Sequence, residues 1–460
     1  MTRPTGALLA MAWLCACAAP EAQAPQPPPP MPLQVSENGR HLVDAGGRPF
    51  FWLGDTAWLL FQKTSRDDAE HYLATRARQG FTVVQAAAVM GEERVAGVLV
   101  ANTYGDQAFI AGNPARPAVT PGSDPRNSNS YDYWDHVDFI VDRAAAHGLR
   151  LGLLPLFVGF DGHGYRYLTP ETAFAYGQFL GRRYGARAHV FWVLGGDSTP
   201  DTPVRRTVWS DVARGISIGA TGGEDYTRTL MTYHINGQGS SSQWVHDAPW
   251  LDFNMVQIWG AETFIYPNVA RDYARVPVKP TGLAEGSYED GPQYGTRPID
   301  AQRIRQQAYW SYFAGGYHTY GNTNVWNFGS FRPEATQDWR DALESRGAEH
   351  LSVLAGTMTA LRWWELEPAP QLASSGMNGG VPDAVAMRSA DGARVLVYAA
   401  RPGRFIVRLD ALPVVRATWI DPQTGTWSAA RLPGGGAVAV DTPAGWSDAL
   451  LLIEAAARTQ

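Results

Sequence analysis

The 460-residue sequence contains two cysteines, Cys15 and Cys17, and none after them. Beyond residue 17 the chain can therefore form no disulfide, offer no thiolate to a metal and use no thiol nucleophile. Its stability has to come from burial. Basic blocks are missing as well, and the formal net charge of −6 argues against nucleic acid as a partner. The ten histidines show no compact His-x-x-x-His spacing, so no metal is assigned. The sequence has neither a Gly-rich phosphate loop nor a Gly-x-Ser-x-Gly elbow, and no cofactor is expected. The apolar stretch from Ala7 to Leu14 is too short to span a bilayer.

That stretch instead reads as a targeting signal, with Arg3 as its positive start. Leu14-Cys15-Ala16-Cys17 resembles a bacterial lipobox, in which Cys17 would be acylated after cleavage. Residues 1–17 are thus a leader, and the proline- and alanine-rich residues 18–32 form a tether that holds a domain off a surface. The expectation is an exported protein, anchored to a membrane by an N-terminal lipid alone in the periplasm or at the outer membrane, and otherwise secreted.

Hydrophobic residues make up 45% of the chain and charged residues 18%, which places it among folded globular proteins. Its length suits a large domain followed by a small one. From Leu33 to Glu365, apolar strands alternate with amphipathic helices. The strands read as Phe50–Leu53, Thr82–Ala87, Arg150–Leu156, Val190–Leu194, Thr229–Tyr233, Phe253–Ile258, Val278–Leu283 and Gly316–Tyr320. Eight of them fit a (β/α)8 TIM barrel, whose active site lies at the C-terminal ends of its strands. Ser65-Arg66-Asp67-Asp68 is a capping box for one helix, and Thr169-Pro170 opens another. Residues 366–460 change style to short β runs separated by turns such as Asp391-Gly392, as in an antiparallel β-sandwich.

Two phrases carry chemistry. Phe191-Trp192-Val193-Leu194-Gly195-Gly196-Asp197 and Leu283-Ala284-Glu285-Gly286-Ser287-Tyr288-Glu289 are each an apolar strand that breaks at a small residue beside a carboxylate. Glycosidic cleavage needs two such carboxylates, one protonated to assist the leaving group and one ionised. Asp197 then has the role of acid, or alternatively of a helix N-cap. Glu285 is the nucleophile or base, or alternatively a solvated loop carboxylate. Asp55 binds a sugar hydroxyl or caps the turn after strand one. His234 orients a carboxylate, contacts substrate or serves structure alone. Gln257, Trp259, Tyr288 and Asn322 sit near strand ends as substrate-binding candidates. The 17 tryptophans and 19 tyrosines suit a cleft for an oligo- or polysaccharide, because flat rings stack on sugar C–H faces.

Arg48-Pro49-Phe50-Phe51-Trp52-Leu53-Gly54-Asp55-Thr56-Ala57-Trp58 resembles the opening motif of the apiosidase-like glycoside hydrolases. The resemblance continues through Phe81 to Gln85, Val193 to Asp197, Asp252 to Gln257 and Ala314 to Gly321, and covers nearly all of the chain after Leu33. The part around Trp419-Ile420-Asp421-Pro422 resembles the family's accessory domain, which carries a collagen-binding label. The resemblance implies a retaining cleavage of apiose linkages in the pectic polysaccharide rhamnogalacturonan-II. It gives Asp197 as acid/base and Glu285 as nucleophile. The family commonly has proline after the nucleophile, where Gly286-Ser287 stands here, and a histidine shortly after Gln257, where Ile258-Trp259-Gly260 stands. That departure leaves a second reading open, a non-catalytic glycan-binding surface lipoprotein. A third is an adhesin acting through the β domain.

Overall fold

A computed structural model describes residues 30–91, 101–291, 298–330, 336–378, 381–409, 414–432 and 435–456. Both cysteines and most of the proline-rich tether lie outside the described residues.

A short hairpin of β1 (Leu33–Val35) and β2 (Leu42–Asp44) leads into the barrel. The barrel strands are β3 (Leu53–Thr56), β4 (Val83–Ala87), β5 (Arg150–Leu154), β6 (Val190–Gly195), β7 (Met231–His234), β9 (Asn254–Gln257), β10 (Thr281–Glu285) and β11 (Tyr317–Tyr320). They pair in parallel in the order β7-β6-β5-β4-β3-β11-β10-β9, and the two-residue β8 (Gly239–Ser240) runs antiparallel along β9. The remaining gap, between β7 and β9, is closed by other bonds. The Asp252 amide donates to Met231 O, Thr232 Oγ1 donates to Phe253 O, and the Met231 amide donates to Asp252 Oδ2.

All eight strands stand near their sequence positions, but several shift toward their C-terminal ends. Phe50 is still tied to the hairpin through its amide and Leu42 O, so β3 starts only at Leu53 and carries Asp55 within it. Likewise β10 reaches Glu285 and β7 reaches His234.

Four aromatic rings close the lower end of the barrel. Trp52, Phe191, Phe253 and Tyr317 come from the N-terminal ends of four different strands. Their rings meet across the interior, with the Trp52 centroid 4.5 to 5.7 Å from the other three. Strand glycines make the room, since a Cβ at Gly152 would stand 2.8 Å from Phe191 Cζ and one at Gly282 would stand 2.4 Å from Tyr317 Cγ. Such a plug leaves only the opposite end free for a site.

The helices show why β6 is held firmly. Arg66–Arg78 starts at the Ser65–Asp68 capping box, and Tyr133–Ala146 starts at a second box from Asp132 and Asp135. Helices Pro170–Tyr184 and Pro203–Thr221, which flank β6 in the chain, touch backbone to backbone. A Cβ on Gly177 or Gly181 would fall 2.3 or 2.2 Å from Val212 O or Ile216 O. Gly215 and Gly219 meet the opposing helix in the same way.

The C-terminal part is a two-sheet sandwich. Its six-stranded sheet begins with Leu366–Pro368 and includes Arg394–Ala399 and Ala449–Ala455, while Arg404–Arg408 and Ala437–Asp441 belong to a three-stranded sheet. One face of the larger sheet packs on the smaller sheet. The other, with Leu396, Tyr398, Leu450 and Leu452, joins the barrel core. At that junction Tyr309 and Tyr398 stack at 4.3 Å, and buried Arg305 contacts Asp448 at 2.6 and 3.0 Å through two nitrogens. Asp448→Ala would strand a buried guanidinium, so it should destabilise the whole chain by about 3–5 kcal/mol in a denaturant titration. A change under 1 kcal/mol would mean that the junction is not a single cooperative unit with the barrel.

Two buried carboxyls give the fold a pH dependence. Burial pushes both Asp252, at the β7–β9 seam, and Glu289, just past β10, up to about 7. Glu289 accepts hydrogen bonds from Tyr320 OH at 2.6 Å and the Gly347 amide at 2.9 Å, which pull the other way without prevailing. Both groups hold a proton more tightly in the folded chain than in the unfolded one. Stability therefore falls as pH rises from the ordinary carboxylate range to about 7 and levels off above it, by ~3–4 kcal/mol per group in all. The melting temperature should drop between pH 5 and 7, and Glu289→Gln with Asp252→Asn should flatten that slope. An unchanged slope in the double variant would refute this assignment.

Candidate active site

Three consecutive residues at the end of β6 have left-handed backbone: Gly195 (φ 92°), Gly196 (φ 89°) and Asp197 (φ 47°). The glycines also allow close contact, because a Cβ at Gly195 would lie 2.3 Å from His234 O and one at Gly196 would lie 2.9 Å from Phe157 Cα. Aspartate tolerates this region better than most residues, at a cost of roughly 1–2 kcal/mol. The turn brings the Asp197 carboxylate over the barrel mouth, with 21% of its side chain exposed. The next helix starts only at Pro203 and is capped by Thr202 Oγ1, so Asp197 is not an N-cap.

Gln257, the last residue of β9, donates from Nε2 to Asp197 Oδ1 at 2.6 Å. Glu285, the last residue of β10, is only 6% exposed. It is not a solvated loop carboxylate, because Tyr288 OH donates to its Oε1 at 2.8 Å and His234 Nε2 stands 2.9 Å from its Oε2. Trp58 Nε1 in turn donates to Tyr288 OH at 3.1 Å. Gly286 and Ser287 fit this arrangement. A Cβ on Gly286 would lie 2.3 Å from Gln307 Oε1, which accepts the Ser287 amide at 2.7 Å, while Gln307 Nε2 donates back to Ser287 O. Ser287 Oγ accepts the Gly260 amide at 3.0 Å. The segment after Glu285 is thus anchored from both sides.

His234 is fully buried between the two carboxylates. Its Nδ1 lies 3.4 Å from the Asp197 amide and 3.7 Å from Asp197 Oδ1. A neutral ring accepts that amide at Nδ1, which leaves its proton on Nε2, the nitrogen that stands beside Glu285 Oε2. Burial lowers the imidazole's affinity for a second proton, but the Glu285 contact and the charges of both carboxylates outweigh it and raise the pKa above the ordinary value. Trp58 packs edge-on against the ring at 4.9 Å, and Phe157 packs on Trp58 at 5.2 Å. One carboxylate oxygen of Asp197, one of Glu285 and a ring nitrogen of His234 all fall within 4.8 Å of one another. Among the described residues this is also the one acidic and histidine group spaced closely enough to hold a metal ion.

The other candidates separate into those that reach the mouth and those that do not. Trp259, 40% exposed, lies against Gly237 beyond β9 and presents a ring to solvent. Tyr288 and Gln257 are buried and touch the carboxylates themselves; they orient Glu285 and Asp197, and a sugar does not have to meet them. His234 orients in the same way. Asp55 is a correction. It is wholly buried, accepts Arg76 Nε at 2.7 Å and Tyr72 OH at 2.6 Å, and has no surface for a sugar hydroxyl. Asn322 is a correction for the same reason. Its Nδ2 donates to Asp290 Oδ2 in the loop after β10 and to Ser345 Oγ at the start of helix Arg346–Ala360, and its Oδ1 accepts the Asn324 amide in its own loop, so the side chain is tied up in the scaffold. Sequence reasoning assigned no role to Trp58, although that residue closes the opening motif and touches both Tyr288 and His234. It also passed over Phe160 and Trp244, for which an exposed aromatic beside a strand-end loop is the only available signal.

A carboxylate pair on β6 and β10, one partly open and one sheltered, is the arrangement that glycosidic cleavage calls for. The model of the apiosidase-like catalytic domain matches residues 36–365, well over half of the chain. The chain belongs to the apiosidase-like family. Solved structures agree with that placement. A glycoside hydrolase of 28% identity superposes with a TM-score of 0.79 over 93% of this chain and 98% of its own. A crystal structure of a glycoside hydrolase family 5 protein from Bacteroides vulgatus ATCC 8482, also 28% identical, gives a TM-score of 0.78 over 92% of this chain and 94% of its own. Comparison with curated protein sequences gives no match. This apiosidase-like chain is accordingly a glycoside hydrolase with a carbohydrate substrate.

Proposed function

We propose that this apiosidase-like hydrolase cleaves a plant cell-wall glycan, with an apiose linkage in pectin as its first candidate, and that it does so with retention. The placement of Asp197 and Glu285 on either side of His234, with one oxygen of each within 4.8 Å of the other, carries the reading; it leaves little room between them for a water. Retaining enzymes hold their carboxyl groups ~5–5.5 Å apart, whereas inverting ones need ~6.5–9.5 Å to admit a water. In the first step Asp197 gives its proton to the glycosidic oxygen, the C–O bond breaks, and Glu285 forms an ester with the anomeric carbon. In the second, Asp197 takes a proton from water, the water oxygen attacks the anomeric carbon, and Glu285 leaves as carboxylate. Gln257 holds Asp197, and Tyr288 with His234 holds Glu285. The Gly286–Ser287 segment, the motive for a binding-only reading, favours turnover instead, since it is what fixes Glu285 and Tyr288 in place.

The test is sugar release from rhamnogalacturonan-II oligosaccharides and a panel of plant glycans by the wild type and Glu285→Gln. Product that disappears in the variant supports the reading and identifies the sugar, and equal release by both removes Glu285 as nucleophile. The N-terminal signal supports export and lipid anchoring at Cys17. An alkyne-palmitate label should enter the wild-type chain and not Cys17→Ser; equal labelling would refute lipidation there.

A further inference from the structure

A cavity of about 300 Å³ opens at the rim of the barrel, on the loops that follow β5, β6 and β7. Phe160 and Trp244 face it, 53% and 41% exposed. Ser198, Asn236 and Arg205 supply polar groups. Ser198 directly follows Asp197, and Asn236 stands two residues beyond His234. Glu285, by contrast, comes from β10, two strands past β7 around the barrel. The cavity therefore lies beside Asp197 along the chain, and Glu285 contributes nothing to its lining.

Its polar groups are fixed in place but not used up. Asn236 Oδ1 accepts the Gly237 amide at 2.7 Å, which orients the side chain, and its Nδ2 has no hydrogen-bond partner among the described residues. Arg205 Nη1 is spent on Asp201 Oδ1 at 2.9 Å and on Thr199 O, and the guanidinium lies over the Tyr165 ring at 4.9 Å. Arg205 Nη2 has no hydrogen-bond partner among the described residues. It stands 3.3 Å from where a Cβ on Gly162 would sit, so the glycine keeps its approach open. Tyr165 OH and Ser198 Oγ bond each other at 2.6 Å and stiffen the wall.

We infer that this cavity is the leaving-group subsite, and that it takes the hydroxylated sugar ring whose glycosidic oxygen Asp197 protonates. The inference rests on the assignment of Asp197 as acid and Glu285 as nucleophile. Attack by Glu285 on one face of the anomeric carbon drives the departing sugar out past Asp197, toward this rim. Exposed aromatic rings match the C–H face of a sugar, and two unspent N–H donors match its hydroxyls. An isolated apolar patch would lack those donors, and a site for a small anion would not need the rings.

Full-length Glu285→Gln, which is expected to bind without turnover, would be titrated calorimetrically with rhamnogalacturonan-II oligosaccharides. Trp244→Ala and Asn236→Ala would then be added separately to that background. Each should raise Kd at least tenfold, while Trp427→Ala, an exposed tryptophan of the β domain, should leave it unchanged. In the active background Trp244→Ala should raise KM by a similar factor. Unchanged Kd in both variants overturns the subsite, and if the wild type still releases sugar the two-carboxylate mechanism survives it. A tenfold loss in Kd alongside full activity of Glu285→Gln sustains the binding site and overturns the mechanism.

Discussion

Glu285→Gln is expected to lower sugar release by ~10⁴-fold or more while leaving the fold intact. The amide has nearly the shape of the carboxylate and can still accept Tyr288 OH, so the melting temperature should stay close to that of the wild type. What it lacks is the charge and nucleophilicity needed to form a glycosyl ester. The loss should appear in kcat, because the attack is made only in the transition state, and substrate affinity should change little. Measured kcat and KM for both proteins on one oligosaccharide decide the point. A rise in KM with kcat preserved would make Glu285 a binding residue.

The second large effect is at Asp197. Asp197→Asn keeps a residue type that tolerates φ near 47°, so the backbone turn should persist. Removing the proton donor should cost about 10²–10⁴-fold on a natural sugar leaving group, the usual contribution of general acid catalysis. A substrate with an activated aryl leaving group needs no proton, so its first step should be nearly unaffected. The glycosyl–Glu285 ester would then accumulate, because the variant also lacks the base for the second step. Rapid-quench kinetics should show a burst with the aryl substrate that the natural one lacks. Equal losses on both substrates would contradict the acid role. Gln257→Ala, which removes the 2.6 Å bond to Asp197 Oδ1, should reproduce a weaker version of the same pattern.

The architecture was largely legible in the sequence because its signals are local. Eight apolar runs, the Ser65 capping box and the Thr169-Pro170 helix start each act over a few residues and need no tertiary information. The change of style near residue 366 is equally local; in the structure Leu366–Pro368 pairs antiparallel with Ala384–Ser389. The strand ends were less legible. Phe50 is kept by the hairpin, which pushed Asp55 from a strand end into the buried interior. There it meets Arg76, whose partner cannot be inferred from a helical pattern alone.

Within the site, Asp197 and Glu285 stood out because glycine or a small residue breaks an apolar strand beside each. Their meeting point did not, since 88 residues of chain separate them and spacing along a chain carries no distance in space. His234 shows the same limit. It reads in sequence as a solitary histidine, and only the closure of the barrel sets it between two carboxylates. Asn322 misled for the opposite reason. It does lie near a strand end, but its hydrogen bonds go to Asp290, Ser345 and Asn324 and tie three segments of the scaffold together.

The most direct test of the central claim is the anomeric configuration of the first sugar released, followed by proton NMR before mutarotation. With Asp197 and Glu285 oxygens within 4.8 Å, the product should first appear with the configuration of the substrate. First appearance of the opposite anomer would require a water between the carboxylates, and would contradict the assignment of Glu285 as a nucleophile.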